Sequence, residues 1–599
     1  MIKKQLFITV ILTGQFVLGK AQSLTVQADT VYVVASRDWP FTRQVANIDS
    51  NLSAPHQWMA IPAISLNAVS INGLATLSNR GMSSRHTAVL FEGIPVNGIT
   101  TGVYDASLIP ISYFNSNKLL KDGLAATFGD HTMGGGLLLS HKPLSGNNLE
   151  AALYTSTLHN STAVLSIQRN SPKLGWSLAW EENDHQNVIS FQQNGLIRKS
   201  DKFEKKGRNI NTGLSLPLAA NQNLTAAAWL QNFNRAIPGP YFVDLNQNQR
   251  DQNLRFSLVH SLLIKDLKFK SQLAYFDEIL QYTASGVNSM AHSNLFQCVS
   301  TADWKKRWIL AVTFRNEKVD ANFYTNQKQR NTLMLSVGGK WQMLGARWQA
   351  LISPHFINGG TSPINAELRW EGPLFFGSLM RNYNLPGFND LYWPSGGNPD
   401  LKPEQAHQVN LGIDKKWSEN WKINATVFSY WVDNYIQWIP QSASVWTPKN
   451  IRSVWSRGGD MVVEYLQNNK SHSIMIHMQY GLSRCTNTKD TQTAAIGRQL
   501  LYVPIHKASV TAGFTKKQWH VMATVSYLGK RFDTTDNFQS LHPAVTGLLK
   551  TEYRFNINRI LIKSGVGIDN LWQTDYQLLR SYPMPRRSIS FFANFQFNS

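Results

Sequence analysis

From residue 147 to its C-terminus the chain repeats one texture. Segments of about ten residues alternate apolar and polar side chains between short turn-forming clusters. Trp421, Ile423, Ala425, Val427 and Trp431 share one parity, and Lys422, Asn424 and Thr426 the other. Leu267, Phe269, Leu273 and Tyr275 alternate likewise. The last segment places Ile589, Phe591, Ala593, Phe595 and Phe597 on one face and Ser588, Ser590, Asn594, Gln596 and Asn598 on the other. Extended backbone sends successive side chains to opposite sides. The pattern therefore predicts strands with an apolar face toward lipid and a polar face toward a lumen. At roughly 20 residues per strand and connection, residues 147–599 yield about 22 strands, a size whose lumen needs a plug.

Nowhere after the first 21 residues does an apolar run approach the ~18 residues that a membrane helix needs. Charged residues are 16% of the chain, below the usual ~25%, while aromatics reach 11% with 19 Trp and 19 Tyr. These totals fit a transmembrane β-barrel and equally a secreted soluble β-protein such as a propeller. The start of the chain points to export. Lys3 and Lys4 precede an apolar run over residues 6–18 and a small-residue cleavage site at 19–21, so residues 1–21 read as a signal peptide.

The net charge of +21 has two readings, an anionic partner or dispersed basic residues on loops and turns. No nucleic-acid recognition motif accompanies it, so no nucleic-acid partner is expected; an outer leaflet rich in anionic lipid tolerates such a surface. Cys298 and Cys485 stand far apart, without zinc spacing or a disulfide framework. No nucleophile elbow, phosphate loop, zinc signature or catalytic carboxylate pair is present, so the chain does not read as an enzyme. Asp244, Asn246 and Asn248 alternate as in a calcium loop, but Gln249 replaces the needed Gly and no bidentate Glu follows. Two readings stand, an oxygen-rich extracellular loop and a calcium site.

Residues 79–143 differ from the rest. Short apolar or β-prone runs alternate with glycines at 81, 93, 98, 102, 123, 129 and 134–136, a small mixed domain of strands and tight turns. A strand over residues 77–82 returning through 87–91 would form a hairpin, with residues 83–86 at its turn. Arg85 and His86 then read as solvated turn residues. The loops over residues 70–76 and 97–105 would share the other end.

Several motifs here resemble one family. Arg80-Gly81, the run Ala88-Val-Leu-Phe-Glu-Gly-Ile-Pro-Val-Asn97, Phe128-Gly129 and Met133-Gly-Gly-Gly-Leu137 resemble the plug domain of TonB-dependent outer-membrane receptors. Gly397-Asn-Pro-Asp-Leu-Lys-Pro-Glu404, Asp569-Asn-Leu571 and Tyr582-Pro-Met-Pro-Arg586 resemble that family's mid-barrel and closing motifs. The aromatic end of the chain resembles its terminal assembly signal. Two departures stand out: Glu92 where the family usually has Asp, and Asn115-Ser-Asn-Lys118 where it usually has an Arg/Glu pattern. The second argues against an ionic lock between plug and barrel.

The resemblance implies a mainly β fold: a transmembrane antiparallel barrel of about 22 strands, its lumen closed by a small N-terminal α/β plug. The implied division is signal peptide 1–21, TonB-box segment 22–36, plug 37–146 and barrel 147–599. Asp29, Thr30, Val31, Tyr32, Val33 and Val34 resemble the TonB box, an extended peptide that adds a strand to an energy-transducing partner; the alternative is an ordinary first strand of the plug. Ligand contacts are expected from the outward plug loops, at Asn72, Leu74, Thr76, Asn97, Thr100, Thr101, Val103 and Tyr104. Parity puts the loop over residues 382–403 outside, because the following strand ends in a short, periplasmic turn. Its Tyr392 and Trp393, with Tyr383 and Phe388, either stack on a flat ligand or pack the loop.

Function follows from the resemblance as an expectation: TonB-driven import of a scarce nutrient across the outer membrane. Cobalamin is the first choice because the short chain and small plug resemble the cobalamin-receptor branch. No resident cofactor is expected; calcium in the extracellular loops and a surface lipoprotein partner are open. The rivals are a ferric-siderophore receptor and a non-transporting barrel acting as adhesin or receptor partner.

Overall fold

Alternation over so many segments can satisfy every backbone group in lipid only if the last strand pairs with the first. The computed structural model, which describes residues 61, 64–69, 73–110, 116–141, 146–361, 364–440, 446–490 and 493–598, closes in this way. Ser588–Asn598 pairs antiparallel with Asn148–Ser156, and 22 staves form one barrel. A short hairpin, His355–Ile357 with Gly360–Thr361, adds to its rim. The expected signal peptide, the residues of the TonB-box segment and Asn72 lie outside the described residues.

Burial follows the predicted parity. Val427 is 60% exposed, while its neighbours Thr426 and Phe428 are buried. Phe591, Phe595 and Phe597 face out, and Phe592 and Asn594 face in. Rings gather near the short-turn rim, where Trp421 meets Tyr465 at 4.7 Å and Trp519 meets Tyr553 at 4.8 Å. Such girdles mark the membrane interface. Turns 220–221, 265–266, 305–307 and 417–420 share that periplasmic rim, and the segments 186–204, 385–403 and 570–587 share the outer one.

Six plug strands follow one another in sequence. β1 (Ile64–Ala68) pairs with β2 (Ala75–Asn79). β3 (Ala88–Phe91), β4 (Ile94–Pro95), β5 (Ser116–Leu120) and β6 (Gly136–Ser140) form a second sheet in the order β4-β3-β6-β5, and a short helix, Ala125–Phe128, links β5 to β6. Leu137, Leu138 and Leu139 are fully buried, as are Leu90 and Phe91. Phe91 continues into the wall, with ring centroids 5.7 Å from Trp229 and 6.3 Å from Phe276.

The expected 77–82/87–91 hairpin does not form, since β2 and β3 belong to different sheets. Arg80 and Gly81 take φ of 49° and 70°, which swings the chain out of β2. Ser83 then caps a 3-10 turn, Ser84–His86, with its Oγ accepting from Arg85 N at 3.2 Å. The real two-residue hairpin is β3–β4, where Glu92 and Gly93 both have positive φ, the geometry of a type I′ turn. Glu92 reaches on to His141, its Oε1 accepting from the backbone N at 2.8 Å and lying 2.6 Å from Nδ1.

Candidate functional site

A charged residue buried in a lumen needs an opposite charge or several hydrogen bonds, and the plug–wall seam supplies both. Arg80 is almost fully buried. Its guanidinium meets Asp460 at 2.8 Å and Asp122 at 3.2 Å, donates to Asn410 Oδ1 at 2.9 Å and Tyr430 OH at 2.5 Å, and lies over Phe428. Asp122 in turn pairs with Arg369 of the wall at 3.1 Å. Beside this cluster, toward the periplasmic rim, is a cavity of about 90 Å³ lined by Arg80, Asp122, Arg369, Asp414, Lys422 and Glu464.

Elsewhere along the wall, Asp130 accepts from Arg315 at 2.5 Å and lies 3.9 Å from Arg330. Arg330 also donates to Glu317 at 2.7 Å and to Pro386 O at 2.9 Å. Burial alone would raise the Asp130 carboxyl, but Arg315, His131 and Arg330 hold it well below the usual range. Burial lowers the neighbouring His131 imidazole from its ordinary value despite Asp130. Asp105 binds Arg235 and accepts from Ala75 N at 2.9 Å.

The plug and barrel are therefore ionically locked, contrary to the expectation drawn from residues 115–118. The lock is simply built from other positions. Its wall members, Arg315, Arg330, Arg369, Glu404 and Asp460, all sit at lumen parity in their strands. That parity is the sequence signal that could have found them.

Arg85 and His86 are the other correction. They are not solvated: His86 is 0% exposed and its Nε2 is 2.9 Å from Glu404. Arg85 pairs with Asp390 in the short helix Phe388–Tyr392 of an outer loop. Trp438 Nε1 donates to the same carboxylate at 2.9 Å. The backbone adds to the joint, since Phe388 N donates to Ile99 O at 3.2 Å and Asn389 N to Thr100 O at 2.9 Å. The outer loop at 385–393 thus sits directly on plug loop 98–102.

The sequence-selected residues gather around this joint in different states. The Ala75–Asp105 bond brings the β1–β2 connection and loop 97–105 together. Leu74, Thr101 and Trp393 are exposed, and Thr76, Val103 and Tyr392 half-buried. Thr100 is buried beneath the loop helix. Asn97 is buried and holds its own loop, accepting from Val89 N and donating to Thr87 O and Gly102 O. Tyr104 is buried against Trp229, with its ring beside Arg255. Tyr392 packs on Tyr324 and under Lys328, and Trp393 lies 5.2 Å from Phe323. Asp244 binds Lys202 at 3.3 Å and accepts from Asn246 N. Both cysteines are free thiols; Cys485 is buried against Arg80-Gly81 of the plug.

The described residues thus form a closed barrel whose lumen holds an ion-paired plug. Comparison with known proteins makes the class specific. The model of the TonB dependent receptor-like β-barrel matches residues 111–571, and that of the TonB-dependent receptor plug domain matches residues 57–136. The chain belongs to the TonB-dependent receptor family and is an outer-membrane protein. It is similar to the vitamin B12 transporter BtuB of Vibrio vulnificus, 21% identical over 87% of this chain and 85% of the relative. The vitamin B12 transporter BtuB of Photobacterium profundum is 19% identical over 86% and 85%. Among solved structures, the copper transporter OprC aligns with a TM-score of 0.75 at 13% identity, covering 91% of this chain and 96% of that one. The siderophore receptor PiuA from Acinetobacter baumannii aligns at 0.71 and 14%, covering 90% and 94%.

Proposed function

We propose that this receptor imports a cobalamin, using force from a TonB-type transducer that grips Asp29, Thr30, Val31, Tyr32, Val33 and Val34. What carries the ligand choice is the near full-length similarity to proteins named vitamin B12 transporters. The likeness to the copper transporter and siderophore receptor structures lies in the fold alone, at 13–14% identity. The ligand would sit at the outer mouth, against Leu74, Thr76, Thr101, Val103 and the Tyr392/Trp393 loop. Thr100 would act through its carbonyl, which couples the loop helix to the plug. Asn97 and Tyr104 would shape the plug loop from behind.

Transport needs the plug to move, because ion pairs at Arg80, Asp130 and Asp105 tie it to the wall. A pull on residues N-terminal to β1 would strain that seam, and the cavity beside Arg80 and Asp122 offers space into which the plug could yield. Loop calcium and a surface lipoprotein partner belong to the same reading. Equilibrium binding of cyanocobalamin to the detergent-purified protein, with and without calcium and against a panel of ferric siderophores, tests the ligand. Tight cobalamin binding supports the reading; binding of a ferric chelate instead replaces it. Deleting residues 29–34 should leave binding intact and abolish energised uptake. Retained uptake would remove the mechanism, and binding without any uptake in the intact chain would favour a non-transporting receptor.

A further inference from the structure

One part of the seam carries basic side chains with no carboxylate beside them among the described residues. Lys507, on the inner face of stave His506–Lys516, is 4% exposed, and its Nζ donates to Ile61 O at 3.0 Å and Ile64 O at 2.5 Å of the plug. Arg531, in the short outer-rim strand Arg531–Phe532, is 2% exposed. One of its terminal nitrogens donates to His542 O at 3.1 Å, while Nε and Nη1 have no partner among the described residues. Lys507 and Arg531 line one cavity of about 20 Å³, with Ser65, Tyr502, Thr546 and Tyr576. Among the described residues no carboxylate lines it. Asp533, two residues along, is bound by Arg580.

Burying a cation unpaired is costly, and most groups escape by changing protonation. Burial lowers Arg531 to about 10, which leaves it charged at neutral pH. A guanidinium presents its N–H groups in a fixed fork and keeps its proton. Nε and Nη1 still need an acceptor, and one that brings negative charge would also offset the buried guanidinium. A space of this size holds a single water or a monatomic ion.

We infer that this cavity binds a small inorganic anion of halide size, hydrogen-bonded by Arg531 Nε and Nη1. The anion completes a joint between three pieces: the outer-rim segment 529–543, the wall and the plug backbone at residues 61 and 64–66. It does not depend on which nutrient the receptor carries.

The first test is diffraction from crystals of the full-length protein grown with bromide in place of chloride. An anomalous peak within hydrogen-bonding distance of the Arg531 guanidinium is expected. A site filled by water without anomalous signal overturns the inference. The second test compares thermal unfolding in chloride and in gluconate at equal ionic strength. Chloride should raise the midpoint of the wild type by about 1–2 °C, and Arg531→Gln should lose that difference. The same difference in a folded Arg531→Gln barrel overturns the inference. Should that variant not fold, Arg531→Lys, which keeps the charge and loses the fork, should show a reduced difference, and an undiminished one overturns it.

Discussion

Two arcs of the same seam treat charge in opposite ways. Around Arg80, Asp122, Asp130 and Arg85, plug and wall meet as opposite charges, each carboxylate facing at least one guanidinium. Around Lys507 and Arg531, the wall brings basic side chains and the described plug residues answer with carbonyl oxygens. Both arcs are buried, so the difference is one of consequence. A matched pair is strongly destabilised when one member is removed, because the other is left charged in low dielectric. An unmatched cation leaves no orphaned charge behind when it goes.

Arg80→Ala should therefore have the largest effect. It removes the guanidinium 2.8 Å from buried Asp460 and leaves Asp122 to Arg369 alone, at a cost of about 3–5 kcal/mol. Hydrogen exchange of the plug amides in the intact barrel reads this out, and a loss under about 1 kcal/mol would mean that the matched arc is not what holds the plug. Gly81→Ala comes next, because a Cβ there would lie 2.0 Å from Cys485 Sγ and φ is +70°. We expect a cost of about 1–3 kcal/mol. Adding Cys485→Ala should recover the packing part and leave the backbone part, a split visible in the denaturant midpoints of the single and double variants.

Acid should loosen the matched arc in particular. His131 is held below its ordinary value, so between pH 6.5 and its folded value the unfolded state binds more protons and stability falls with falling pH. Asp130 has the same sign lower down. Its contribution is complete above the unfolded carboxyl pKa of about 4 and is lost as pH drops toward the folded value. Exchange rates corrected for intrinsic pH dependence should thus rise near β6 before they rise near β1. The reverse order would break the comparison. The smallest effect belongs to Lys507→Met. It loses two hydrogen bonds to carbonyls but relieves a buried amine of its desolvation, for a net change of about 1 kcal/mol or less. A cost matching that of Arg80→Ala would erase the distinction between the arcs.

Much of this architecture was legible in the chain. Alternation predicted the strands, their lipid faces and their number; Val427 and Phe591 lie outward as read. The long outer loop before Glu404 followed from counting turns. The plug's glycine motifs marked its place but not its sheet pairing. Arg80 looked like part of a strand, yet a left-handed φ ends β2 there. Arg85 and His86 looked like turn polar residues, yet a loop some 300 positions away supplies Asp390, and the next stave Glu404.

What the sequence determined by itself is the set of local and periodic properties: strand faces, turn positions, stave number and the family motifs. These depend on neighbours within a few residues or on a repeat, so one chain written in a line displays them. Which charges meet, which stay unmatched and which loop seats on the plug were decided by the tertiary structure. Closing the barrel brings residues hundreds of positions apart to the same point of the seam, and burial there turns an ordinary arginine into either half of a lock or an unpaired cation.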